Sequence, residues 1–389
     1  MKRLASLLVV WLMLGLTTGC WDNNELDEYG YVQAVSIDRS ADGLILVTTH
    51  FYNPSSKTEM GEGAKSPQKG INIQTTGKTF FEAVRDIPTE FGRKAKWDHM
   101  RVILLGETLA RTENIREVLD FFSRDHEPRG TVLPMIAEKT AGDFLSIKPF
   151  IEQTIGQQYK KMETNGSLYS ADSSDIPLYE LAIQLKSPSK TAALPYLHKH
   201  YSQNKAMVSG VALIQDGKMT GLLNEPDTEA LMMLTGRYNS GILEFPCLNN
   251  TEKEKSNKES FEVLTFHSKV TPTVKEDTVS VSAQVEMEGT VGELRCSQLK
   301  SKQDIERFEK SIQDKVKQQI EHAIATFKRQ EADPIGIGNQ IYRNDPKLWK
   351  RLEPTWKKRL AQSQFQVTVT IRVLSTGMNV GTPFGIKEK

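Results

Sequence analysis

The sequence has few cysteines, no excess of charge of either sign, and no long hydrophobic run beyond its N-terminal segment. It holds 3 cysteines in 389 residues, which excludes a disulfide-dense scaffold. The 50 basic and 49 acidic residues leave a formal net charge of +1, so there is no electrostatic basis for gripping nucleic acid. Charges interrupt every later apolar stretch well short of the ~20 residues of a membrane helix, which excludes a polytopic membrane protein. With 38% hydrophobic residues, the composition is that of a globular protein with two or three cores.

The N-terminal segment has the features of a bacterial lipoprotein signal. A positive pair is followed by an apolar stretch over residues 5–16, and then by Gly19 and Cys20. This arrangement resembles a lipobox, with Thr17 at the position where the usual motif has leucine. We therefore expect residues 1–19 to be cleaved, and Cys20 to carry a diacylglyceryl group on its sulfur and an acyl group on its amine. The alternative is an ordinary cleaved signal in which Cys20 is incidental.

Lipidation of Cys20 would leave Cys247 and Cys296 as the other cysteines of the exported body. Their sequence context allows a disulfide or two free thiols, and we favour free thiols. Cleavage removes basic residues and no acidic ones, so the mature chain stays close to neutral. The anchor needs no basic patch, because each buried CH₂ of its acyl chains contributes about 0.8 kcal/mol.

Hydrophobic patterning predicts an α+β or α/β unit with helices packed against mixed or antiparallel sheets, and we assign the chain to the α+β fold class. Residues 20–200 are interpreted as an N-terminal α+β domain, which opens with a hairpin over residues 31–52. Residues 205–300 are interpreted as a middle β-rich domain. Residues 301–389 are interpreted as a C-terminal helix-plus-strand domain that could share a sheet with the middle domain.

Cap and turn signals locate several elements more closely. Thr79 with Glu82 forms a capping-box pattern that opens a helix, which we expect to end before Pro88. Asp216 and Gly217 form the dipeptide of a tight hairpin turn.

Periodicity and composition complete the assignment of elements. An apolar stripe at helical spacing, from Ile305 to Phe327, predicts one long C-terminal helix over residues 301–330. Alternation over residues 365–373 predicts a closing strand. Polar composition predicts a surface excursion over residues 160–177, and weak periodicity predicts a linker over residues 186–203.

Several stretches, taken in order, resemble the C-subunit lipoprotein family of nutrient germinant receptors, the Ger(x)C family of spore-forming Firmicutes. The resemblance covers nearly the whole chain, and it is carried by the order and spacing of these residues: Gly19 to Asp22, Ser36 to Asp38, Gly77 to Thr79, His99 to Glu107 (HMRVILLGE), Val118 to Asp125 (VLDFFSRD), Ala332 to Pro334, Ile341, Tyr342, Trp349 and Trp356. Residues 160–187 depart from the pattern.

The resemblance implies a monomeric, three-domain α+β lipoprotein, anchored through Cys20 on the outer face of the inner spore membrane. It also implies that the chain works with two multi-pass membrane proteins, an A subunit and a B subunit that resembles an amino-acid transporter. In that family, nutrient sensing is attributed mainly to the membrane subunits. No enzyme activity, cofactor or metal is implied.

The 7 histidines offer no metal or catalytic motif by their spacing. His198 and His200 have no acidic or cysteine ligand at helical distance, so a surface loop is the simpler interpretation. His99 and His126 each neighbour an aspartate, but no nucleophile motif accompanies them. The glycines at 336 and 338 lack the fuller spacing and the lysine of a phosphate-binding loop, so we interpret them as a turn.

A charged cluster follows the helix predicted around Val118 and is the candidate partner surface. It consists of Arg124, Asp125, Glu127 and Arg129. A solvated cluster that caps a helix end is the simpler interpretation of these residues, and the family resemblance favours the docking interpretation.

Trp349 and Trp356 lie seven residues apart among lysines and arginines. This composition is compatible with contact to anionic lipid. Core packing of the two rings is the favoured alternative.

The sequence leaves three functions open. The leading one is a lipid-anchored, non-enzymatic receptor subunit. The second is a solute-binding lipoprotein of a transporter, which predicts two similar doubly wound lobes around a cleft. The third is an exported hydrolase, for which no catalytic motif is assembled in the sequence.

Overall fold

The computed structural model describes residues 3–4, 25–54, 70–200, 205–247, 258–276, 278–295 and 297–376. Residues 5–19 of the predicted signal segment, Cys20 and Cys296 lie outside these residues. Most of the described chain is arranged as two β-sheets with helices packed on them, which confirms the α+β class.

The first sheet is mixed, and its strands follow the order β3-β2-β1-β5-β6-β7-β8-β9, with β4 paired to β1. The strands are β1 Tyr29–Arg39, β2 Ile45–Tyr52, β3 Gly70–Gly77, β4 Lys94–Lys96, β5 Val102–Gly106, β6 Leu133–Ala137, β7 Thr191–His200, β8 Lys205–Gln215 and β9 Lys218–Leu223. The central strands β1, β5, β6 and β7 run parallel, and an antiparallel ribbon flanks them on each side.

Helices cover both faces of this sheet. They are α1 Phe80–Phe91, α2 Glu107–Thr112, α3 Ile115–Arg124, α4 Gly142–Leu145, α5 Ile155–Tyr169 and α6 Leu178–Lys186. Because successive residues of a strand point to opposite faces, Val35 and Ile103 pack with α1, α2, α3 and α6, whereas Ala34 and Val102 pack with α4 and α5. The parallel strands are therefore apolar on both sides, as their continuous hydrophobic runs require.

The second sheet has the order β10-β11-β12-β13. Its strands are β10 Gly241–Pro246, β11 Lys258–Lys275, β12 Thr278–Glu293 and β13 Gln364–Ser375. β10, β11 and β12 pair antiparallel, and β13 pairs parallel with β12. The predicted middle and C-terminal segments therefore share one sheet.

The helices of this half are α7 Glu225–Thr235, α8 Lys302–Arg329, α9 Ile337–Asn344, α10 Pro346–Leu352 and α11 Trp356–Gln362. α8 is the long predicted helix, and Ser301 begins it by accepting a hydrogen bond from the Asp304 backbone N–H. Its stripe from Phe308 to Phe327 is buried against α7 and the sheet. Short 3₁₀ turns lie at Leu26–Glu28 and at Glu353–Thr355, and the second of them contains Pro354 and separates α10 from α11.

The domain boundary predicted between residues 200 and 205 falls inside the first sheet. β7 pairs with β8 across it, and β9 follows in the same sheet, so residues 205–223 complete the first sheet rather than open a middle domain. Val211, Leu213 and Leu223 also belong to the same buried cluster as α7, α8 and β12. The two halves are thus joined by a common core.

Three local expectations are also corrected. α1 continues through Pro88 to Phe91, because Pro88 falls in the last turn and Gly92, at φ 70°, ends the helix. Residues 160–177 are not simply a surface excursion, since α5 runs to Tyr169 and is capped at Thr154. Residues 186–203 are not a linker, because they contain β7.

Candidate functional site

The predicted lipid attachment site, Cys20, lies outside the described residues. Among the residues that the structure does describe, no helix combines the length and the apolar character needed to cross a membrane.

The predicted charged cluster divides into an outward and an inward part. Arg124, in the last turn of α3, is exposed and pairs with Asp120 one helical turn earlier. Asp125 follows the helix, and its Oδ1 accepts a hydrogen bond of 2.9 Å from the Glu127 backbone N–H. Arg129 is exposed and has no ion pair with any described residue. These three residues therefore present charge to solvent at the end of α3.

Glu127 has a structural role instead. Its carboxylate accepts a hydrogen bond of 2.8 Å from Lys96 Nζ and one of 3.0 Å from the Trp97 backbone N–H. Burial raises the pKa of Glu127, but these hydrogen bonds and the lysine charge outweigh burial, so the pKa lies below its ordinary value. Glu127 ties the loop after α3 to β4 and is not available to a partner.

An apolar groove of about 410 Å³ opens beside this cluster, between α3 and α6. Leu119 and Phe122 of α3 and Leu181 and Leu185 of α6 are among the side chains that line it. Asp125 also lines the groove, so the predicted surface is continuous with it. Sequence analysis missed the groove because its two walls come from segments far apart in the chain.

Two motifs of the family resemblance meet at one structural junction. Asp38, at the end of β1, accepts hydrogen bonds from the backbone N–H groups of Ala141 (2.8 Å) and Gly142 (2.9 Å). A Cβ at Gly106 would lie 2.2 Å from Asp38 Oδ1, so only glycine fits there. Burial raises the pKa of Asp38 despite these two bonds. The junction fixes the loop before α4 to the parallel strands.

The Ala-Asp-Pro motif has a comparable role in the second half. Asp333 accepts hydrogen bonds from the backbone N–H groups of Ile337 (2.9 Å) and Gly338 (2.7 Å), at the start of α9. Gly336 adopts φ 76° just before the helix. The expected turn is therefore present, and its N–H groups donate to a side-chain carboxylate rather than to a phosphate.

The tryptophans pack against each other in an apolar cluster. Trp349 and Trp356 are both buried, and their rings meet edge to face at 5.1 Å between centroids. The membrane-contact interpretation of these two rings is therefore wrong, because the rings are not accessible to lipid.

The histidines are spread over separate environments. His99 packs edge to face on Tyr31, and His126 is almost fully exposed. The prediction of a surface loop for His198 and His200 is wrong, because both residues belong to β7 and pair with β8. His198 Nε2 lies 2.8 Å from the Ser209 hydroxyl in that neighbouring strand. Within the described ranges, no three His, Cys, Asp or Glu side chains form a group that could hold a metal ion.

Cys247 is disulfide-bonded, so the preference for free thiols is wrong for this residue. It directly follows β10 and is itself buried. Sequence context could not show this, because the strand pairing that brings distant segments together at β10 is set by the tertiary fold.

Buried carboxyl groups lie at the seam between the two halves, and sequence analysis missed them. Glu163 of α5 is fully buried, and burial raises its pKa to about 8. Burial likewise raises the pKa of Asp172 to about 6 and that of Glu229, on α7, to about 7. The available signal was the Thr154 and Gln157 capping box, which indicates that a helix runs through this polar stretch.

A mixed sheet shares a core with a second sheet that lies under a long helix, and the motif carboxylates cap loops in both halves. These features define the class as a two-sheet α+β protein, and the family follows from comparison of the sequence. The chain belongs to the spore germination GerAC family. Residues 22–199 match the family model "Spore germination protein N-terminal domain", and residues 209–377 match "Spore germination B3/ GerAC like, C-terminal".

Relatives in Bacillus subtilis (strain 168) match over nearly their full length. Spore germination protein B3 is 24% identical over 383 residues, covering 97% of this chain and 99% of the relative. Spore germination protein KC is 23% identical over 398 residues, covering 96% of each chain. The crystal structure of the GerBC protein shares the fold, with a TM-score of 0.54 and 20% identity over 91% of this chain and 100% of that one.

Proposed function

We propose that this chain is the lipid-anchored C subunit of a nutrient germinant receptor. It would be held through acylated Cys20 on the outer face of the inner spore membrane, and would assemble there with multi-pass A and B subunits. The observation that carries the proposal is the union of a lipobox at Cys20 with a family match that begins at residue 22 and continues to residue 377.

The mechanism is tethering. Eight residues lie between Cys20 and the start of β1 at Tyr29, and the nine Cα–Cα steps of an extended chain between them span at most about 30 Å. Confinement to such a layer raises the effective concentration of the folded body near its membrane partners, so that modest surface contacts suffice for assembly.

We infer that the role is assembly rather than catalysis. The arrangement nearest to a catalytic one is the His198 and Ser209 pair. A nucleophilic serine also needs its histidine oriented by a third group. Within the described residues, no carboxylate contacts the second ring nitrogen of His198, which weighs against the hydrolase alternative.

The fold also weighs against a solute-binding lipoprotein of a transporter. That alternative predicts two similar doubly wound lobes, with parallel strands in each. The second sheet instead has three antiparallel strands and a single parallel pair.

Replacement of the anchor cysteine tests the proposal. We expect Cys20→Ser to abolish palmitate incorporation, to release the protein from the membrane fraction and to remove its contribution to germination. Thr17→Leu, which restores the usual lipobox, is the matched control and should retain all three properties. Palmitate incorporation into Cys20→Ser at the wild-type level would contradict the proposal.

Affinity capture from spore inner membrane tests the choice of partners. Recovery of multi-pass, transporter-like proteins in stoichiometric amounts supports the receptor. Recovery of an ATP-driven permease would instead support the solute-binding alternative.

A further inference from the structure

We propose that the groove between α3 and α6 is a docking site for an amphipathic helix of an integral membrane partner, with an acidic side chain of that helix paired to Arg116 and Lys186. This inference rests on the proposed function, because it assigns the surface through which the anchored body meets its partner.

The groove is formed by two helices that run antiparallel without closing on each other. At one end, Arg116 Nη2 donates a hydrogen bond of 2.7 Å to the Leu185 carbonyl. At the other end, the Tyr179 backbone N–H donates a hydrogen bond of 3.0 Å to the Gly130 carbonyl. The groove between these two hydrogen bonds is about two helical turns long, or about 11 Å.

The lining combines an apolar floor with small residues at the rim. Leu119, Phe122 and Leu181 are buried at the floor. Ser123 of α3 and Ala182 of α6 are small side chains that also line the groove. Tyr179 also lines the groove and keeps 53% of its surface exposed. Side chains of a third helix would fill this space.

The charges are unequal at the two ends of the groove. Arg116 and Lys186 form a cationic end, and neither has a carboxylate partner among the described residues. The Nε–H of Arg116 is buried and makes no hydrogen bond within the described chain. Asp120 lies one turn further along α3, but it is paired with Arg124. An acidic side chain entering at the cationic end would therefore meet two cations that have no carboxylate partner within the described chain.

A helix is the form of partner segment that fits. The groove borders two helices and no strand edge, so backbone pairing of an extended segment is not available there. A third helix can pack between two antiparallel neighbours at the usual interaxial distance of about 8–10 Å. Its apolar face would cover the leucines, and its carboxylate would lie at the end of the groove next to Arg116.

Site-specific photo-cross-linking in the full, membrane-bound chain tests this assignment. A photoreactive residue replaces Ala182 inside the groove, or Ile183, which is exposed on the same helix but does not line the groove. We expect cross-linking from position 182 to exceed that from position 183 by about tenfold. We also expect the product to map to an apolar helical segment of a multi-pass protein, with Asp or Glu within one turn of the attachment point.

Charge reversal at the cationic end supplies the specific control. Lys186→Glu should lower the cross-linking yield from position 182 by about fivefold to tenfold, because it opposes the acidic side chain of the partner. Lys78→Glu makes the same change at an exposed lysine outside the groove and should leave the yield unchanged. Equal yields from positions 182 and 183, or no effect of Lys186→Glu, would overturn the proposal. Products formed only with lipid, or with a second copy of this chain, would also overturn it.

Palmitate incorporation and co-purification of membrane partners, measured on the same samples, separate the two proposals. If both are at the wild-type level and position 182 gives no partner product, the groove assignment fails and the proposed function stands. If the chain is neither acylated nor associated with membrane partners, the proposed function fails, and the groove assignment fails with it.

Discussion

Neutralising Glu163 should remove much of the pH dependence of stability, because this carboxyl is fully buried in the folded state. Ser173 donates a hydrogen bond of 2.6 Å to Glu163 Oε2, while Oε1 has no partner within the described residues. Among the described residues no cation pairs with Glu163, and burial is the dominant cause of its raised pKa.

The sign follows from linkage. The folded-state pKa is about 8 and the ordinary value is 4.5, so the folded protein holds a proton that the unfolded chain has already lost. The stabilising effect is fully present below pH 4.5 and is lost as the pH rises through about 8. Between pH 5 and pH 8 the contribution of this one group to the free energy of unfolding should fall by about 3–4 kcal/mol.

Equilibrium urea unfolding of the purified chain, measured at several pH values from 5 to 8, tests this reasoning. Glu163→Gln keeps the size of the side chain and the acceptor for Ser173 but cannot ionise. From pH 5 to pH 8 the wild type should therefore lose about 3–4 kcal/mol more unfolding free energy than the variant. Glu117→Gln, at an exposed position on α3, should follow the wild-type curve. Equal pH dependence in wild type and Glu163→Gln would refute the burial argument.

Three further predictions concern packing and the disulfide. Gly106→Ala should destabilise the chain by about 1–3 kcal/mol because its Cβ would meet the Asp38 carboxylate, whereas Gly166→Ala, where nothing lies within 4 Å, should be neutral or stabilising in thermal unfolding. Ile320→Asp should cost about 3–5 kcal/mol and make the second half trypsin-sensitive without loss of acylation; unchanged protease resistance would show that the α8 stripe is not packed. Cys247→Ser should lower stability by about 2–4 kcal/mol in oxidising buffer, and the difference should vanish with reductant.

The elements that sequence analysis predicted well are those specified by local chemistry. The Asp216 and Gly217 turn adopts positive φ at both residues, as a two-residue hairpin turn requires. The α8 stripe is long enough that its period is unambiguous, and its buried face matches the predicted one. The family motifs likewise identified residues whose role is to cap or to close loops.

The errors arose where burial and hydrophobicity disagree. α5 buries Gln158, Glu163 and Ser167, so its inward face does not stand out as an apolar stripe. β7 contains Pro195, which sits at an irregularity in its pairing with β8 and so does not break the strand. Neither feature can be recognised before the neighbouring elements are in place.

The groove between α3 and α6 illustrates a different limit. Arg116 and Lys186 are separated in sequence by β6, α4 and α5, and neither residue stands out in the sequence alone. Their common location follows from the order of the parallel strands, which sets α3 and α6 on the same face of the first sheet. The charged residues that the sequence did single out, Arg124 and Asp125, proved to lie at the opposite end of α3 from this cationic pair.

The central claim is a lipid-anchored receptor subunit, and it is tested most directly by mass spectrometry of the N-terminal peptide of the protein purified from spore inner membrane. The account predicts a peptide that begins at Cys20 and carries a diacylglyceryl thioether and an amide-linked acyl chain. An unmodified Cys20, or a mature chain that begins at another residue and is recovered in the soluble fraction, would contradict it.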